Sequence, residues 1–214
     1  MNVGVLGTGD VGKALGRGFI ALGHSVKLGG REAGNPNARA WAESHGAKAS
    51  AGTFADAARF GEWVVLATLG TAVDDVLRAA GKDALRGKIV IDTTNPLDFS
   101  QGFPPRLFVG QTDSLGERVQ RALPDCKVVK AFNIVGNAHM FRPQFPGGPP
   151  DMLIGGNDDE AKQKVTALLK DFGWSVIDLG GIESSRVLEP ICLAWVLCGA
   201  RANTWNHAFK LLRK

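Results

Sequence analysis

The stretch Asn2-Val3-Gly4-Val5-Leu6-Gly7-Thr8-Gly9-Asp10-Val11-Gly12 decides the fold of this chain. It reads as an apolar strand, a G-x-G-x-x-G turn and the start of a helix. The apolar face of that helix recurs at Val11, Leu15, Phe19 and Leu22 before Gly23 closes it. A dinucleotide diphosphate needs this combination. Gly7 permits the tight turn, Gly9 lets the backbone approach the phosphates, and Gly12 lets helix and strand pack closely. The amides and positive dipole end of the helix then face the anion, flanked by Thr8, Asp10 and Val11. With 28 glycines in 214 residues the motif alone is weak, and the strand before it and helix after it give it weight.

The second strand reads His24-Ser25-Val26-Lys27-Leu28 and runs into Gly29-Gly30-Arg31-Glu32. An NAD site places an acidic residue at this tip to accept from the ribose hydroxyls. Here Gly30 and Arg31 stand there, and a guanidinium suits the extra 2′-phosphate of NADP. Glu32 stays open as a displaced ribose acceptor. The reading is NADP(H).

Composition narrows the class. The chain is 44% hydrophobic, enough for a substantial core, and its net charge of +4 is scattered without a basic run. That argues against a nucleic-acid partner. Cys126, Cys192 and Cys198 form no pair and no metal set with the four histidines, which suits a reducing compartment and no metal. A strand starting at residue 2 leaves no room for a signal peptide, and the longest apolar run, Ile191 to Ala200, is too short for a bilayer. The expectation is a cytoplasmic protein with no membrane contact.

Strand and helix patterns then alternate. A helix is expected over Pro36–His45, a short strand over Ala47–Ala49, a capped helix start at Thr53-Phe54-Ala55-Asp56 and a doubly buried strand over Trp63–Thr68. A helix over Thr71–Ala80, a strand over Lys88–Asp92, a Pro/Phe-rich loop over Gly102–Gly110, a helix ended by Pro124 and a strand over Lys127–Phe132 follow. After a Pro/Gly stretch from Pro143 to Pro150 come strand Asp151–Ile154, a helix opened by Asn157-Asp158-Asp159-Glu160, and strand Trp174–Leu179. A long helical region from Ser184 to the end, bent or broken near Pro190, closes the chain, with Lys210, Arg213 and Lys214 as its solvated end. The fold class is α/β, a doubly wound Rossmann sheet, mostly parallel, with a smaller C-terminal α/β extension ending in a long helix. The division expected is a dinucleotide-binding domain over 1–142 and a smaller segment over 143–214 on the same sheet.

Ligands of such sheets sit at the carboxyl ends of the strands, beside the switch point. Thr68-Leu69-Gly70, Thr93-Thr94-Asn95-Pro96 and Asn133 to His139 stand there and are expected to line the nicotinamide end. His139, the one imidazole expected near the pocket, is the candidate proton donor, or it caps a turn. Asp92 either orients the pocket threonines or ends its strand.

Gly7-Thr8-Gly9, Gly29-Gly30-Arg31, Lys130-Ala131-Phe132-Asn133, Gly155 to Glu160 and Glu183-Ser184-Ser185-Arg186 resemble the NADPH-dependent oxidoreductases of the deazaflavin coenzyme F-420. They are also similar to the cytosolic oxidoreductase domain of the six-transmembrane prostate-antigen metalloreductases. The likeness spans nearly the whole chain. It implies that Thr8 and Arg31 bind the 2′-phosphate, that Thr68 and Leu69 lie beside the cofactor, and that the Asn137 backbone meets the nicotinamide amide. It places Asn95, Pro96 and Asn133 in the acceptor pocket. Gly30 stands where the family often has Ser and Asn35 where the deazaflavin enzyme has Lys; Asn133 stands where that enzyme has His and agrees instead with the metalloreductase domain. The resemblance implies hydride transfer between NADPH and a flavin or deazaflavin, and a homodimer formed through the C-terminal helix. Two other readings stay open: an NADPH-dependent reductase of a small carbonyl or imine, and a non-enzymatic NADP-binding redox sensor. The first would call for a catalytic Lys or Tyr and a large helical domain, and the chain has no Tyr.

Overall fold

The computed structural model describes residues 1–212 and 214. β1 (Asn2–Leu6) leads through the glycine turn into α1 (Asp10–Ala21), followed by β2 (Ser25–Gly30), α2 (Pro36–His45), β3 (Ala49–Thr53) and α3 (Phe54–Phe60). The chain then returns to the middle with β4 (Trp63–Leu66), α4 (Val73–Ala80), α5 (Lys82–Leu85) and β5 (Ile89–Asp92). A ribbon of β6 (Leu97–Asp98) and β7 (Arg106–Leu107) precedes α6 (Leu115–Ala122) and β8 (Lys127–Lys130). The last part is β9 (Asp151–Gly156), α7 (Asp159–Asp171), β10 (Ser175–Asp178) and α8 (Ser185–Ala202).

Eight strands form one sheet in the order β10-β9-β8-β5-β4-β1-β2-β3. All neighbours are parallel except β8 and β9, so the mostly parallel α/β sheet expected from the sequence is what forms. The central strands read as unbroken apolar runs because helices cover both faces. Val3, Val5, Val65 and Ile91 pack with Phe19, Leu169 and Phe172 on one face. Leu6, Val64, Leu66 and Val90 pack with Leu77, Leu85 and Val119 on the other. Strand order reverses between β1 and β4, and the crevice over that reversal is where such sheets bind ligands.

Several boundaries differ from the sequence reading. Gly46–Lys48 makes a 3-10 turn, and the third strand follows at Ala49–Thr53, where Ala-Ser-Ala-Gly-Thr carries no apolar alternation. It is an edge strand, held by its register with Val26–Gly30. Part of the expected Gly102–Gly110 loop is β7, paired antiparallel with Leu97–Asp98.

The last helix runs unbroken through Pro190 and stops at Ala202, with Asn203 in the left-handed region at φ 48°. The remaining tail folds back. Trp195 Nε1 donates to the His207 carbonyl, the His207 ring pairs with the Trp195 carbonyl, and Trp205 packs 5.2 Å from Trp195. Trp205 and His207 therefore lie beyond the helix. Lys210 Nζ donates to the Pro149 carbonyl, and Arg213 lies outside the described residues. Among the described residues no helix is long and apolar enough to cross a membrane, and no three metal-ligating side chains cluster.

Candidate functional site

The carboxyl ends of the parallel strands open into a cavity of about 830 Å³, toward the upper end of small-molecule sites. Its lining crosses the tips of β2, β1, β4 and β5 and reaches the turn after β8. Four inter-strand steps make that crevice about 19 Å long, a span that suits an extended dinucleotide.

Gly7 sits at its centre with φ 147°, hydrogen-bonded through its amide to the Gly29 carbonyl. A Cβ there would lie 2.0 Å from the Ala67 carbonyl oxygen, so only glycine joins the tips of β1 and β4. A Cβ at Gly12 would lie 2.7 Å from the Gly7 carbonyl, which places this glycine in helix–strand packing and outside the lining. Gly9 is different, because a Cβ there would meet nothing within 4 Å. Its bareness serves the cavity rather than the fold.

Asn35, Thr53, Ser114 and Asp158 cap α2, α3, α6 and α7 with their side chains. No side chain caps α1, whose first turn faces the cavity. Uncapped amides at the start of a twelve-residue helix are a donor set of the kind that accepts an anion.

At the β2 tip, Gly30 is walled by Asn35 and Thr8. Arg31 beside them is exposed and makes no salt bridge among the described residues, leaving its guanidinium for a ligand anion. Phe54 enters the same end. Its helix is opened by Thr53, whose amide and hydroxyl donate to Asp56 and help hold that carboxyl near 2.

At the other end stand Thr68, Leu69, Thr93, Thr94, Asn95 and Asn137, joined by Leu97, Asp98 and Phe99 of the ribbon. Asn95 Nδ2 donates to the Asn133 carbonyl at 2.8 Å, and Asn133 Nδ2 returns to Asn95 Oδ1 at 3.0 Å. This clasp depends on Phe132, buried and left-handed at φ 62°, which swings the chain out of β8. Asp92 does both things considered for it. It ends β5, and its Oδ1 accepts from the amide and hydroxyl of Thr94 at 2.9 and 2.7 Å.

Of the residues singled out from the sequence, Gly7, Thr8, Gly9, Asp10, Val11, Gly30, Arg31, Thr68, Leu69, Asn95 and Asn137 share this cavity. Pro96 and Asn133 are buried behind its wall. His139, expected near the pocket, lies apart from these residues. It does not line the cavity, since its Nε2 pairs with Asn206 Oδ1 at 3.1 Å and its ring lies 4.8 Å from Phe145. The returning tail takes the imidazole that the sequence placed in the pocket. Phe54 and the Leu97–Phe99 segment line the cavity without any sign in the sequence reading. Asn35, which the resemblance sets opposite a family lysine, also lines it, and Asn35-Pro36 carries the local signal of a cap followed by a first-turn proline.

Residues 2–96 match the family model described as NADP oxidoreductase, coenzyme F420-dependent. The F420-dependent NADP reductase of Methanothermobacter marburgensis is 31% identical over 201 residues, covering 89% of each chain. The metalloreductase STEAP3 of Rattus norvegicus is 28% identical over 200 residues, and this chain spans 36% of its length. A crystal structure from Arthrobacter sp. FB24, provisionally described as an F420-dependent NADP-reductase, superposes with a TM-score of 0.95 at 40% identity over the full length of both chains.

Proposed function

The chain belongs to the coenzyme F420-dependent NADP oxidoreductase family and is an NADP-dependent oxidoreductase; from that premise we propose that it transfers a hydride between NADPH and a flavin or deazaflavin ring. One observation carries the reading. A single crevice joins an uncapped helix end and an Arg31 that makes no salt bridge among the described residues to a second end walled by Thr68, Thr94, Asn95 and Asn137 together with Leu69, Leu97 and Phe99. Bound there, NADPH supplies the electrons as a hydride, and the acceptor ring gains that hydride and one solvent proton.

The residues supply binding and orientation. The amides opening α1 hold the diphosphate, and Thr8, Arg31 and Asn35 hold the 2′-phosphate. Gly9 leaves room for close backbone approach. Thr94, Asn95 and Asn137 wall the ring end, where two flat rings need near-attack spacing of about 3–3.5 Å and little side-chain chemistry. His139 stands outside this scheme.

The test is to mix the pure protein with NADPH and, separately, coenzyme F420 and riboflavin phosphate, and follow nicotinamide absorbance. Oxidation of NADPH with at least one ring acceptor is the expected outcome. Tight NADPH binding without turnover on either would point instead to a redox-sensing module.

The homodimer follows from the same reading. Val187, Pro190, Ala194, Leu197 and Cys198 form an exposed, mostly apolar stripe along α8, the face proposed to meet a second copy. Light scattering should give twice the chain mass for the wild type, and the Leu197→Glu variant should run as a monomer. A monomeric wild type at micromolar concentration ends the idea.

A further inference from the structure

A fully buried charge cluster lies behind the ring end of the crevice, and hydride transfer as described makes no use of it. Lys130, the last residue of β8, is completely buried. Its Nζ lies 2.8 Å from Asp92 Oδ2 and 3.0 Å from Glu189 Oε1, and it donates to the Thr94 carbonyl at 2.8 Å. Burial alone would lower this lysine, but the two carboxylates outweigh it and hold the ammonium above its ordinary range. Cys192, on α8 beside Glu189, is pushed up to about 12 by burial and stays a neutral thiol.

The two carboxylates divide their work. Glu189 turns away from the crevice, accepting the amides of Leu115 and Gly116 at the start of α6 at 3.0 and 2.9 Å. Asp92 turns toward it, as its Oδ1 takes the Thr94 amide and hydroxyl. Every polar atom of Thr94, a cavity-lining residue, is thus held by Asp92 or Lys130. A buried ion pair is poor evidence for stability, because well-packed apolar residues do as well. What it does uniquely here is hold one stretch of wall by three charge-assisted bonds that water cannot loosen.

We propose that Lys130 is a positioning residue which, with Asp92, fixes the Thr94–Asn95 wall against which the acceptor ring lies. The inference rests on the proposed NADPH–acceptor site and adds the determinant of its acceptor half. The wall is set before the ligand arrives, so acceptor binding spends nothing on ordering it. The diphosphate end, built from β1, β2 and α1, is independent of it.

The experiment uses Asp92→Asn/Lys130→Met, which removes one charge of each sign and leaves Glu189 on its α6 amides. The NADPH dissociation constant is expected within about twofold of wild type, while kcat/KM for riboflavin phosphate or coenzyme F420 falls about tenfold or more. Glu189→Gln should lower the melting temperature and leave the acceptor constants in place. Three results overturn the proposal: unchanged acceptor kinetics in the double variant, a proportional loss of NADPH affinity, or an equal kinetic loss in Glu189→Gln. Should the double variant not fold, Thr94→Val is expected to lose acceptor kcat/KM and Thr94→Ser to keep it. Identical behaviour of that pair also overturns the proposal. Wild-type protein that reduces neither acceptor overturns the site reading and this inference together, whereas an active wild type with unresponsive variants overturns this inference alone.

Discussion

Replacing Gly9 with valine is expected to weaken NADPH binding by at least about a hundredfold, roughly 2.8 kcal/mol, while the protein remains folded. The two halves of that statement come from different measurements on the same residue. A Cβ at Gly9 touches no protein atom within 4 Å, and its φ of −81° with ψ of −176° is ordinary for any residue. The fold therefore loses only the modest cap preference of glycine, within about 1 kcal/mol, a shift of about 2–4 °C in Tm for a chain of this size. The added side chain would stand in the space a diphosphate must enter to reach the α1 amides. Gly7 is the wrong position for this test, because a Cβ there collides with the Ala67 carbonyl and the variant would report on folding. Titration calorimetry with NADPH, paired with a melting curve, checks both halves. Retained affinity in a folded Gly9→Val protein would remove the diphosphate from this turn.

Arg31→Ala carries the second large effect. Charge-assisted bonds are worth about 1.5–3 kcal/mol, so NADPH affinity should fall about 10- to 150-fold. NADH affinity should stay within about twofold. Stability should not change, since Arg31 is exposed and forms no ion pair among the described residues. Binding of both reduced nucleotides to wild type and variant, measured side by side, isolates the 2′-phosphate. Equal losses for the two would mean that the guanidinium meets something common to both, and Glu32 would become the residue to examine.

The legible parts of the fold are those where burial writes itself into local sequence. β1, β4 and β5 carry unbroken apolar runs because two layers of helices cover them, and α7 shows its buried face as Ala161, Val165, Leu168 and Leu169. β3 begins at Ala49, where the expected strand ends, because an edge strand of Ala, Ser, Gly and Thr has no such pattern and takes its position from β2. The tail carries no local sign that it leaves the helix, and Trp195, Trp205 and His207 hold it only after the chain has doubled back.

In the site, the strand-tip residues were found by topology, and His139 was lost to a long-range contact with Asn206. Asp92, Lys130 and Glu189 give no local sign of their union. Each sits on a different element, and of the three only Asp92 has a role legible in the sequence, as a residue that orients the pocket threonines or ends its strand.

From its residues alone, then, the chain declared a parallel α/β sheet, a G-x-G-x-x-G opening turn and a basic residue at the tip of the second strand, because periodicity, glycine spacing and side-chain charge are local properties. Tertiary structure alone decided which imidazole stays outside the crevice, which ribbon residues enter it and which buried charges hold its wall. Those outcomes depend on distances between segments remote in sequence, which are set only when strands align in register and helices cover the sheet.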